Sequence, residues 1–516
     1  MSSPRQLDAH GLLAATARPE IPHGAPQSVA AVLDRGRREH PDREALVGRS
    51  GRATYAELDQ LANRMANGLV VMGVQPGDRV GASLPNDSPI VVAFLACMRI
   101  GAIWVGINRA LAPPERQYLL DDAGVSILLE PEGDWLELLE AGDADPPGVE
   151  IDPFAPAAIA YTSGTTGFPK GAVHSQHNLL LPGAVSRARG QYGEDDRFGV
   201  MLPLTLLNLV ALGPLLAYQC GGTCVAIDRV DAPGLAAWIR DERVTAFASV
   251  PAILHDLLTH PDVRADDLTT LRTPGVGGAD CPEGFRALYR ERYGTEVTLG
   301  YGLTEAPTAV TMTRPDEAPV PNSSGRALPH VRVVALDDDG NELPAGAIGE
   351  LCIEPARKGP FAGVYTPMLG YWNQPGATAT ALRDGVLHTG DLGYVDEHGE
   401  VFVADRRNDL IIRGGANVYP AEVERVLHED PRVAACAVIG KPDQRLGERV
   451  VAVVQPSAGA AIAADELRVL CAANLAAYKV PELFLVLPDG EALERTPMGK
   501  IKKAPLRARV SEAPSD

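Results

Sequence analysis

A segment rich in glycine and hydroxyl side chains, centred near residue 165, restricts most strongly what this chain can fold into. It follows an apolar strand candidate at 157–161 and runs into Lys170 and Gly171. Glycines let the backbone approach a ligand closely, and hydroxyls with a lysine suit phosphate oxygens. The pattern predicts a polyphosphate loop of a different spacing from Gly-x4-Gly-Lys-Ser/Thr; the alternative is a polar surface loop. Besides Lys170, the candidate phosphate-binding residues are Thr162, Ser163, Gly164, Thr165, Thr166 and Gly167.

Three further motifs carry groups that suit a nucleotide. Glu305 ends a glycine-rich motif at 300–305, and its carboxylate is a hard oxygen ligand suited to magnesium. Asp391 lies between glycines at 388–393, where a carboxylate can accept both hydroxyls of a ribose. The third motif, at 495–501, contains Lys500. Each has a plainer structural interpretation when taken alone: a helix cap at Thr304, a turn residue at Asp391 and an exposed lysine at 500.

The length and texture of the sequence predict two domains. With 516 residues, the chain is longer than one core usually supports. Strand and helix candidates alternate up to about residue 330, hairpin patterns follow, and a compact α+β segment begins near residue 409. We expect an α/β fold with a large N-terminal domain at 1–407, containing layered α/β sheets and a small β-barrel-like part, and a small α+β C-terminal domain at 408–516.

Several local elements are also predicted. Residues 29–73 have helical spacing, 90–96 suit a buried helix, and 296–299 suit a short strand. Residues 200–227 carry no charge, but their prolines and glycines favour a buried helix followed by a core strand over a membrane span.

Charge and cysteine usage exclude some classes of partner. The formal net charge of −20 disfavours nucleic acid and anionic membranes, since a strongly acidic surface repels both. The seven cysteines are scattered and odd in number, which favours a reducing compartment over a disulfide framework. No signal peptide is apparent at the N-terminus. We therefore expect a cytoplasmic protein without membrane insertion.

Over roughly residues 30 to 505, the motifs occur in the order found in the adenylate-forming (AMP-binding) superfamily. The chain resembles the acyl-CoA synthetase branch of that superfamily. The resemblance implies an ATP-dependent carboxylic acid–CoA ligase that uses ATP, Mg²⁺ and CoA. Such an enzyme forms acyl-AMP and pyrophosphate, and then transfers the acyl group to the thiol of CoA.

The resemblance also assigns roles to residues of the nucleotide site. Lys500 would bridge the acid and the α-phosphate, Glu305 would hold the metal, and Thr304 and Lys170 would assist catalysis. Arg406 would help Asp391 to bind the ribose. The implied nucleotide site comprises Thr162, Ser163, Gly164, Thr165, Thr166, Gly167, Gly278, Ala279, Asp280, Gly300, Tyr301, Gly302, Thr304, Asp391, Arg406 and Lys500.

Relatives of this kind use one site for both steps by rotating a mobile C-terminal domain. The implied hinge is Asn408, where the family usually has Asp or Lys. After rotation, Arg413, Gly414 and Gly415 would form the tunnel for the pantetheine arm of CoA, since a side chain on either glycine would block it.

The implied acid pocket contains no acidic residue. Amino-acid-activating relatives hold the substrate ammonium group with an Asp, and an unpaired ammonium would be unfavourable in this pocket. We therefore expect an apolar acid: fatty, aromatic or polycyclic. Many acyl-CoA synthetases have a His or an aromatic residue where this chain has Leu206. The implied pocket residues are Leu206, Leu207, Asn208, Val250, Val276, Gly277, Ala306 and Thr308.

Several alternatives stay open at the sequence level. An acyl-AMP ligase that loads a carrier protein would keep the same motifs. Leu206 and Asn408 also leave open an enzyme that retains only one half-reaction, such as thioester formation from a supplied acyl-adenylate. A luciferase-like oxygenase fits the low aromatic content poorly, and Lys500 argues against a nonhydrolytic nucleotide-binding module. The oligomeric state is open, a homodimer included.

Overall fold

The computed structural model describes most of the chain. The described residues are 7–14, 17–133, 137, 139, 142–163, 168–272, 274–277, 283–294, 297–306, 309–314, 317, 320, 323–406, 410–457, 459–488, 491–494 and 501–511.

Short strands and helices follow one another along most of the chain. In chain order, the described strands are β1 Glu44–Gly48, β2 Gly51–Thr54, β3 Arg79–Ala82, β4 Ile103–Gly106, β5 Ile127–Leu129, β6 Pro156–Ser163, β7 Pro169–Ser175, β8 Arg197–Val200, β9 Thr223–Ala226, β10 Ala246–Ser249, β11 Gly275–Gly277, β12 Leu299–Tyr301, β13 Thr311–Met312, β14 Arg326–Ala327, β15 Val331–Leu336, β16 Gly349–Pro355, β17 Gly370–Tyr371, β18 Leu382–Arg383, β19 Val386–Val395, β20 Val401–Arg406, β21 Ile411–Arg413, β22 Ala416–Val418, β23 Val433–Asp443, β24 Gly447–Pro456 and β25 Leu483–Val486. The described α-helices span Asp34–Glu39, Tyr55–Val71, Ser88–Arg99, Pro113–Ala123, Gln176–Ala188, Leu207–Val210, Leu216–Cys220, Ala232–Asp241, Pro251–Thr259, Glu283–Tyr293, Pro375–Ala381, Pro420–Leu427, Ala464–Asn474 and Lys503–Ser511. Short 3₁₀-helices span Val29–Ala31, Ala265–Leu268 and Ala477–Lys479, and a π-helix spans Ala211–Leu215.

Two largely parallel sheets dominate the first two thirds of the chain. The nine-stranded sheet has the order β14-β13-β12-β11-β10-β8-β9-β1-β2, and the six-stranded sheet has the order β17-β7-β6-β4-β3-β5. The run β1-β9-β8-β10-β11-β12 pairs in parallel throughout. The alternation of strands and helices in the sequence predicted this pairing, because parallel neighbours need a crossover connection.

A helical layer lies between the two sheets. The helix Ser88–Arg99 begins with Pro89 in its first turn and is buried from Ile90 to Arg99. It contacts β1 of the nine-stranded sheet as well as β3 and β4 of the six-stranded sheet. A helix that is apolar on every side is expected in such a position, and the predicted buried helix at 90–96 is confirmed.

The prediction of a helix across 29–73 is wrong for its middle part. Strands β1 and β2 form an antiparallel hairpin there, and the long helix begins only at Tyr55. Thr54 accepts the backbone N–H of Glu57, and the Glu57 side chain accepts the N–H of Thr54, which fixes the start of the helix as a capping box. Just before Tyr55, the residues with helical spacing instead form the two short strands of this hairpin.

Two antiparallel sheets complete the fold. Strands β15, β16, β19, β18 and β20 form a five-stranded sheet after residue 330. Strands β21–β25 form the C-terminal sheet, and alternate residues of β23 and β24 enter two separate apolar clusters on its opposite faces. The α/β class with a separate C-terminal part is confirmed. Residues 407–409 lie outside the described residues, so the boundary at 407/408 stays a prediction.

The uncharged segment 200–227 folds as a helix with a π-helical turn, followed by β9 in the core of the nine-stranded sheet. This outcome matches the predicted buried helix and strand. Within the described part of the chain, none of the helices combines the length and apolar character that crossing a bilayer requires.

Candidate active site

The predicted phosphate segment connects two antiparallel strands. Thr162 on β6 and Lys170 on β7 are register partners, so the hairpin places a hydroxyl beside an ammonium group. The Lys170 Nζ atom lies 5.1 Å from the ring centroid of Tyr371, within the range of a cation–π contact. Gly164–Gly167 lie outside the described residues, as does the side chain of Ser163.

The Glu305 carboxylate collects hydrogen bonds from two other segments. Its Oε1 accepts the Tyr371 hydroxyl at 2.7 Å and the Thr162 hydroxyl at 3.4 Å. Burial, together with the charge of Glu305, raises the pKa of Tyr371 well above its ordinary value, so the phenol stays a donor. Both of these bonds use the same oxygen of the carboxylate. A carboxylate that is held in this way at the cavity wall is suited to be a ligand of Mg²⁺.

His174 positions the backbone beside Glu305. Its Nε2 lies 2.6 Å from the carbonyl oxygen of Thr304, so Nε2 carries the hydrogen and donates. The ring is buried, and burial lowers the pKa of His174 to about 4. A neutral imidazole with this single hydrogen bond is a structural residue.

The predicted ribose-binding carboxylate adjoins Tyr301, another predicted residue of the nucleotide site. The Tyr301 hydroxyl donates to Asp391 Oδ2 at 2.7 Å, and the backbone N–H of Asp391 donates to the Thr389 hydroxyl at 3.0 Å. Asp391 on β19 is the register partner of Arg406 on β20. The side chain of Arg406 lies outside the described residues.

One cavity of about 1020 Å³ unites most of the predicted groups. Its volume lies at the upper end of the range for ligand pockets, which is about 300–1,000 Å³. The predicted site residues on its walls are Thr162, Lys170, Leu206, Leu207, Asn208, Val250, Val276, Gly300, Tyr301, Gly302, Thr304, Glu305, Asp391, Gly414 and Gly415.

One wall of the cavity is apolar. Leu206, predicted as a pocket residue, keeps 41% of its surface exposed although it faces this concave space. Between residues 186 and 276, the described residues that line the cavity include neither Asp nor Glu. An apolar group can be desolvated here, whereas an ammonium group would lack a counter-charge. The apolar wall comprises Phe198, Leu206, Leu209, Leu212, Leu216 and Ala248.

The two glycines of the predicted tunnel form a hairpin turn between β21 and β22. Gly414 and Gly415 have φ of +57° and +83°, as a two-residue turn of type I′ requires. A Cβ atom on Gly415 would overlap the side chain of Val250 in the large N-terminal part. The C-terminal sheet therefore reaches the cavity through backbone, in an orientation that glycine alone permits.

Some predicted residues are not brought to the cavity. Ala306 is buried in the main core, and Gly277 ends β11 without being among the lining residues. The guanidinium of Arg413 donates to Glu482 Oε1 at 2.8 and 2.6 Å. Their roles stay predictions. The predicted residues Gly278, Ala279, Asp280, Thr308, Asn408 and Lys500 lie outside the described residues.

Tyr371 and the wall residues Leu209, Leu212 and Leu216 were not among the predicted site residues. Tyr371 lies 66 residues from its partner Glu305, and nothing in its local sequence marks it as a ligand-site residue. The leucines carried a usable signal, since they recur at helical spacing after Leu206.

Known proteins related to the chain define its family. A model described as AMP-binding enzyme matches residues 33–372, and one described as AMP-binding enzyme C-terminal domain matches residues 422–500. The chain therefore belongs to the AMP-binding enzyme family. The family predicted from the motifs is confirmed.

Two relatives and one solved structure refine this placement. A feruloyl-CoA synthase from Amycolatopsis is 38% identical over 475 residues, covering 88% of this chain and 94% of the relative. The fatty acid–[acyl-carrier-protein] ligase ScoC of Streptomyces coeruleorubidus is 35% identical over 504 residues, covering 91% and 94%. A double mutant of o-succinylbenzoate CoA synthetase from Bacillus subtilis, bound with its product analogue OSB-NCoA, has a TM-score of 0.82 at 30% identity, covering 94% of this chain and 98% of that one.

The chain is thus an AMP-forming acid–thiol ligase, as its sequence predicted, in a family whose substrates include ATP and CoA.

Proposed function

We propose that this protein converts an apolar carboxylic acid, ATP and CoA into acyl-CoA, AMP and pyrophosphate in two steps at one cavity. One observation carries this proposal: the groups proposed to bind the different substrates line the same cavity. Candidate phosphate and ribose groups, an apolar wall and the Gly414–Gly415 turn of the C-terminal sheet all line the same space.

In the first step, a carboxylate oxygen of the acid attacks the α-phosphorus of ATP, and the bond to the pyrophosphate oxygen breaks. The contribution of the protein is positioning and charge neutralisation. Thr162 and Lys170 would bind phosphate oxygens, and Asp391 would accept the ribose hydroxyls. Glu305 would hold Mg²⁺, which neutralises phosphate charge when it is bound. Lys500 is proposed to bridge the acid and the α-phosphate.

In the second step, the CoA sulfur attacks the acyl carbonyl carbon, the bond to the AMP oxygen breaks, and the thiol loses its proton. The Gly414–Gly415 turn supports this step, because its side-chain-free backbone lies at the cavity wall. We propose that residues 408–516 move as a domain about Asn408 between the steps.

An aromatic or similarly bulky apolar acid suits the leucine-lined wall best. The relative named feruloyl-CoA synthase supports an aromatic acid, and the lack of acidic lining residues at 186–276 argues against amino acids. Fatty and polycyclic acids belong to the same proposed class. A cytoplasmic location is proposed from the cysteines, because none of the six that the structure describes forms a disulfide.

A carrier-protein thiol is the second candidate acceptor. The relative ScoC, a fatty acid–[acyl-carrier-protein] ligase, favours this alternative. A pantetheine arm on a carrier protein would use the same narrow entrance as CoA. The first step and its residues would be unchanged.

The test incubates the full chain with ATP, Mg²⁺, CoA and a panel of aromatic, fatty and polycyclic acids, with products identified by mass spectrometry. We expect acyl-CoA, and we expect Lys500→Ala to reduce adenylation by about 100-fold or more, since it removes the charge proposed to stabilise the reacting phosphate. Acyl-adenylate without acyl-CoA, converted only when a pantetheinylated carrier is added, would establish the second candidate. Thioester made only from supplied acyl-adenylate would contradict the complete two-step ligase.

A further inference from the structure

A buried ion-pair cluster connects the N-terminal part to the C-terminal sheet beside the cavity. The Lys479 Nζ atom lies 2.7 Å from Glu115 Oε1 and 3.0 Å from Glu422 Oε2. Glu115 belongs to the helix Pro113–Ala123, whereas Glu422 and Lys479 belong to the C-terminal part. The side chains of Glu115, Lys479 and Glu422 are only 11%, 6% and 4% exposed.

Backbone hydrogen bonds from both parts of the chain fix the Glu115 carboxylate in this contact. Its Oε2 accepts the N–H of Ala112 at 2.9 Å, which fixes the carboxylate over the start of its own helix. The same oxygen accepts the N–H of Ala476 at 2.7 Å from the C-terminal part. One carboxylate thus binds a lysine and a backbone amide of the facing domain, and charge-assisted bonds of this kind are stronger than neutral ones.

The cluster can open without leaving an isolated buried lysine. Burial alone would lower the pKa of Lys479, but the neighbouring charges of Glu422 and Glu115 outweigh burial and raise it, so the lysine is charged. If Glu115 is withdrawn, Lys479 keeps Glu422 within its own domain. Glu115 then returns to water with its helix. The contact is therefore conditional on how the two parts are oriented.

The orientation that forms the cluster is also the one that brings the Gly414–Gly415 turn to the cavity. Ile501, next in sequence to Lys500, packs against the opposite face of the C-terminal sheet from the helix that carries Glu422. The two faces of the sheet cannot both meet the cavity at once. The structure superimposes on almost the whole length of a CoA synthetase that was solved with a product analogue bound, which agrees with this orientation.

We propose that Glu115 is a positioning residue for thioester formation: by holding Lys479 and the N–H of Ala476, it keeps the C-terminal part in the orientation that presents Gly414–Gly415 to the acyl-adenylate. This inference rests on the proposed two-step function. The three cluster residues line the cavity, but the proposal gives Glu115 no contact with a reacting atom and confines its effect to the second step.

The chain offers a matched control at the same interface. Arg445 of the C-terminal part pairs with Asp256 of the N-terminal part at 3.2 Å, but these side chains are 64% and 41% exposed. An exposed pair contributes little, because water and salt screen it. Removing a buried partner has a much larger effect on an interface. Glu115→Gln and Asp256→Asn therefore each remove one carboxylate charge from the interface. The first charge is buried and the second is exposed.

The experiment measures each half-reaction separately in the full chain. Acid-dependent ATP–pyrophosphate exchange reports the first step, and single-turnover conversion of supplied acyl-adenylate with CoA reports the second. We expect Glu115→Gln to slow the second step by about tenfold or more while the first changes by less than about twofold. Asp256→Asn should leave both within about twofold. Equal slowing of both steps by Glu115→Gln, or of neither, would overturn the proposal.

Amide hydrogen exchange gives a second readout that needs no activity. Ala476 and its neighbours should exchange faster in Glu115→Gln than in the wild type, and Asp256→Asn should leave them unchanged. Unchanged protection in Glu115→Gln would overturn the positioning role even if the rates fell. A wild-type chain that cannot convert supplied acyl-adenylate would refute the proposed function instead, so the two failures are distinct.

Discussion

At the residue scale, the Glu305 carboxylate depends on partners that are remote in sequence. Thr162, on the β6–β7 hairpin, lies 143 residues away. Tyr371 lies 66 residues away on β17, the antiparallel edge partner of β7. Tyr371 also places its ring beside Lys170. One phenol therefore orients both the proposed metal ligand and a proposed phosphate ligand.

Tyr371→Phe is expected to weaken the first half-reaction. It removes a hydrogen bond to a charged acceptor and leaves the ring in place, so ATP–pyrophosphate exchange should fall by about tenfold. The Mg²⁺ concentration for half-maximal exchange should rise, because Glu305 then keeps only the longer hydrogen bond from Thr162. Both quantities come from exchange assays across a magnesium titration.

Tyr365→Phe is the matched control for this variant. Tyr365 is fully buried, and its hydroxyl has no hydrogen-bond partner among the described residues. Its replacement should leave exchange and magnesium dependence unchanged. If exchange and magnesium dependence in Tyr371→Phe match those in Tyr365→Phe, the inference that Tyr371 positions Glu305 is wrong.

At the scale of the element, the β21–β22 hairpin shows why two adjacent glycines occur at 414–415. Both residues need a positive φ, and Gly415 in addition has no room for a Cβ beside Val250. From the sequence, the two glycines were predicted to lack side chains because a side chain would block the pantetheine tunnel. The structure adds that contact with the N-terminal part imposes the same requirement.

Gly415→Ala should therefore impair thioester formation specifically. The positive φ strains any L-residue by about 1–2 kcal/mol, and the added methyl group collides with Val250 only in this orientation. We expect conversion of supplied acyl-adenylate with CoA to fall by about tenfold or more, with less effect on ATP–pyrophosphate exchange.

Gly414→Ala separates these two causes. It introduces the same methyl group at a similar positive φ, but the nearest atom to its Cβ would be Leu446 Cδ2 at 3.4 Å. We expect a clearly smaller loss of thioester formation in this variant. Equal losses in the two variants would show that backbone strain, and not the approach to Val250, is responsible.

Elements with strong local signals were predicted well. The buried helix predicted at 90–96 lies within Ser88–Arg99, and the strand candidate at 157–161 lies within Pro156–Ser163. The hairpin at Glu44–Thr54 was missed because its strands are short and its burial comes from pairing with β9, far along the chain. Short strands carry too few residues for periodicity to distinguish them from a helix.

At the scale of the whole molecule, we propose that the orientation of the C-terminal part selects which half-reaction the cavity serves. The observed orientation presents Gly414–Gly415 and closes the Glu115–Lys479 contact. The proposed first step needs Lys500 at the same cavity, so the proposed cycle requires the C-terminal part to rotate. Domain rotations of this kind commonly gate catalysis.

A reversible cross-link across the interface should separate the two steps. Asp256→Cys and Arg445→Cys place thiols at a surface-exposed contact, while the six native cysteines that the structure describes are buried. Joining the new thiols with a short cleavable bifunctional reagent should abolish ATP–pyrophosphate exchange and preserve thioester formation from supplied acyl-adenylate.

Reduction of the cross-link should restore exchange, and each single-cysteine variant should be insensitive to the reagent. Exchange that persists in the cross-linked protein would show that the first step does not require rotation.

The sequence by itself determined the α/β class, the family and the ligase reaction type, and it identified a minority of the residues that line the cavity. Those conclusions rest on local motifs, whose residue types must suit a phosphate, a ribose or a metal wherever the chain places them. The tertiary structure alone decided that Tyr371 holds Glu305, that His174 holds the backbone of Thr304, and that Glu115 meets Lys479, which lies 364 residues away. Such pairings leave no local pattern, because packing and domain orientation, and not neighbouring residues, bring the partners together.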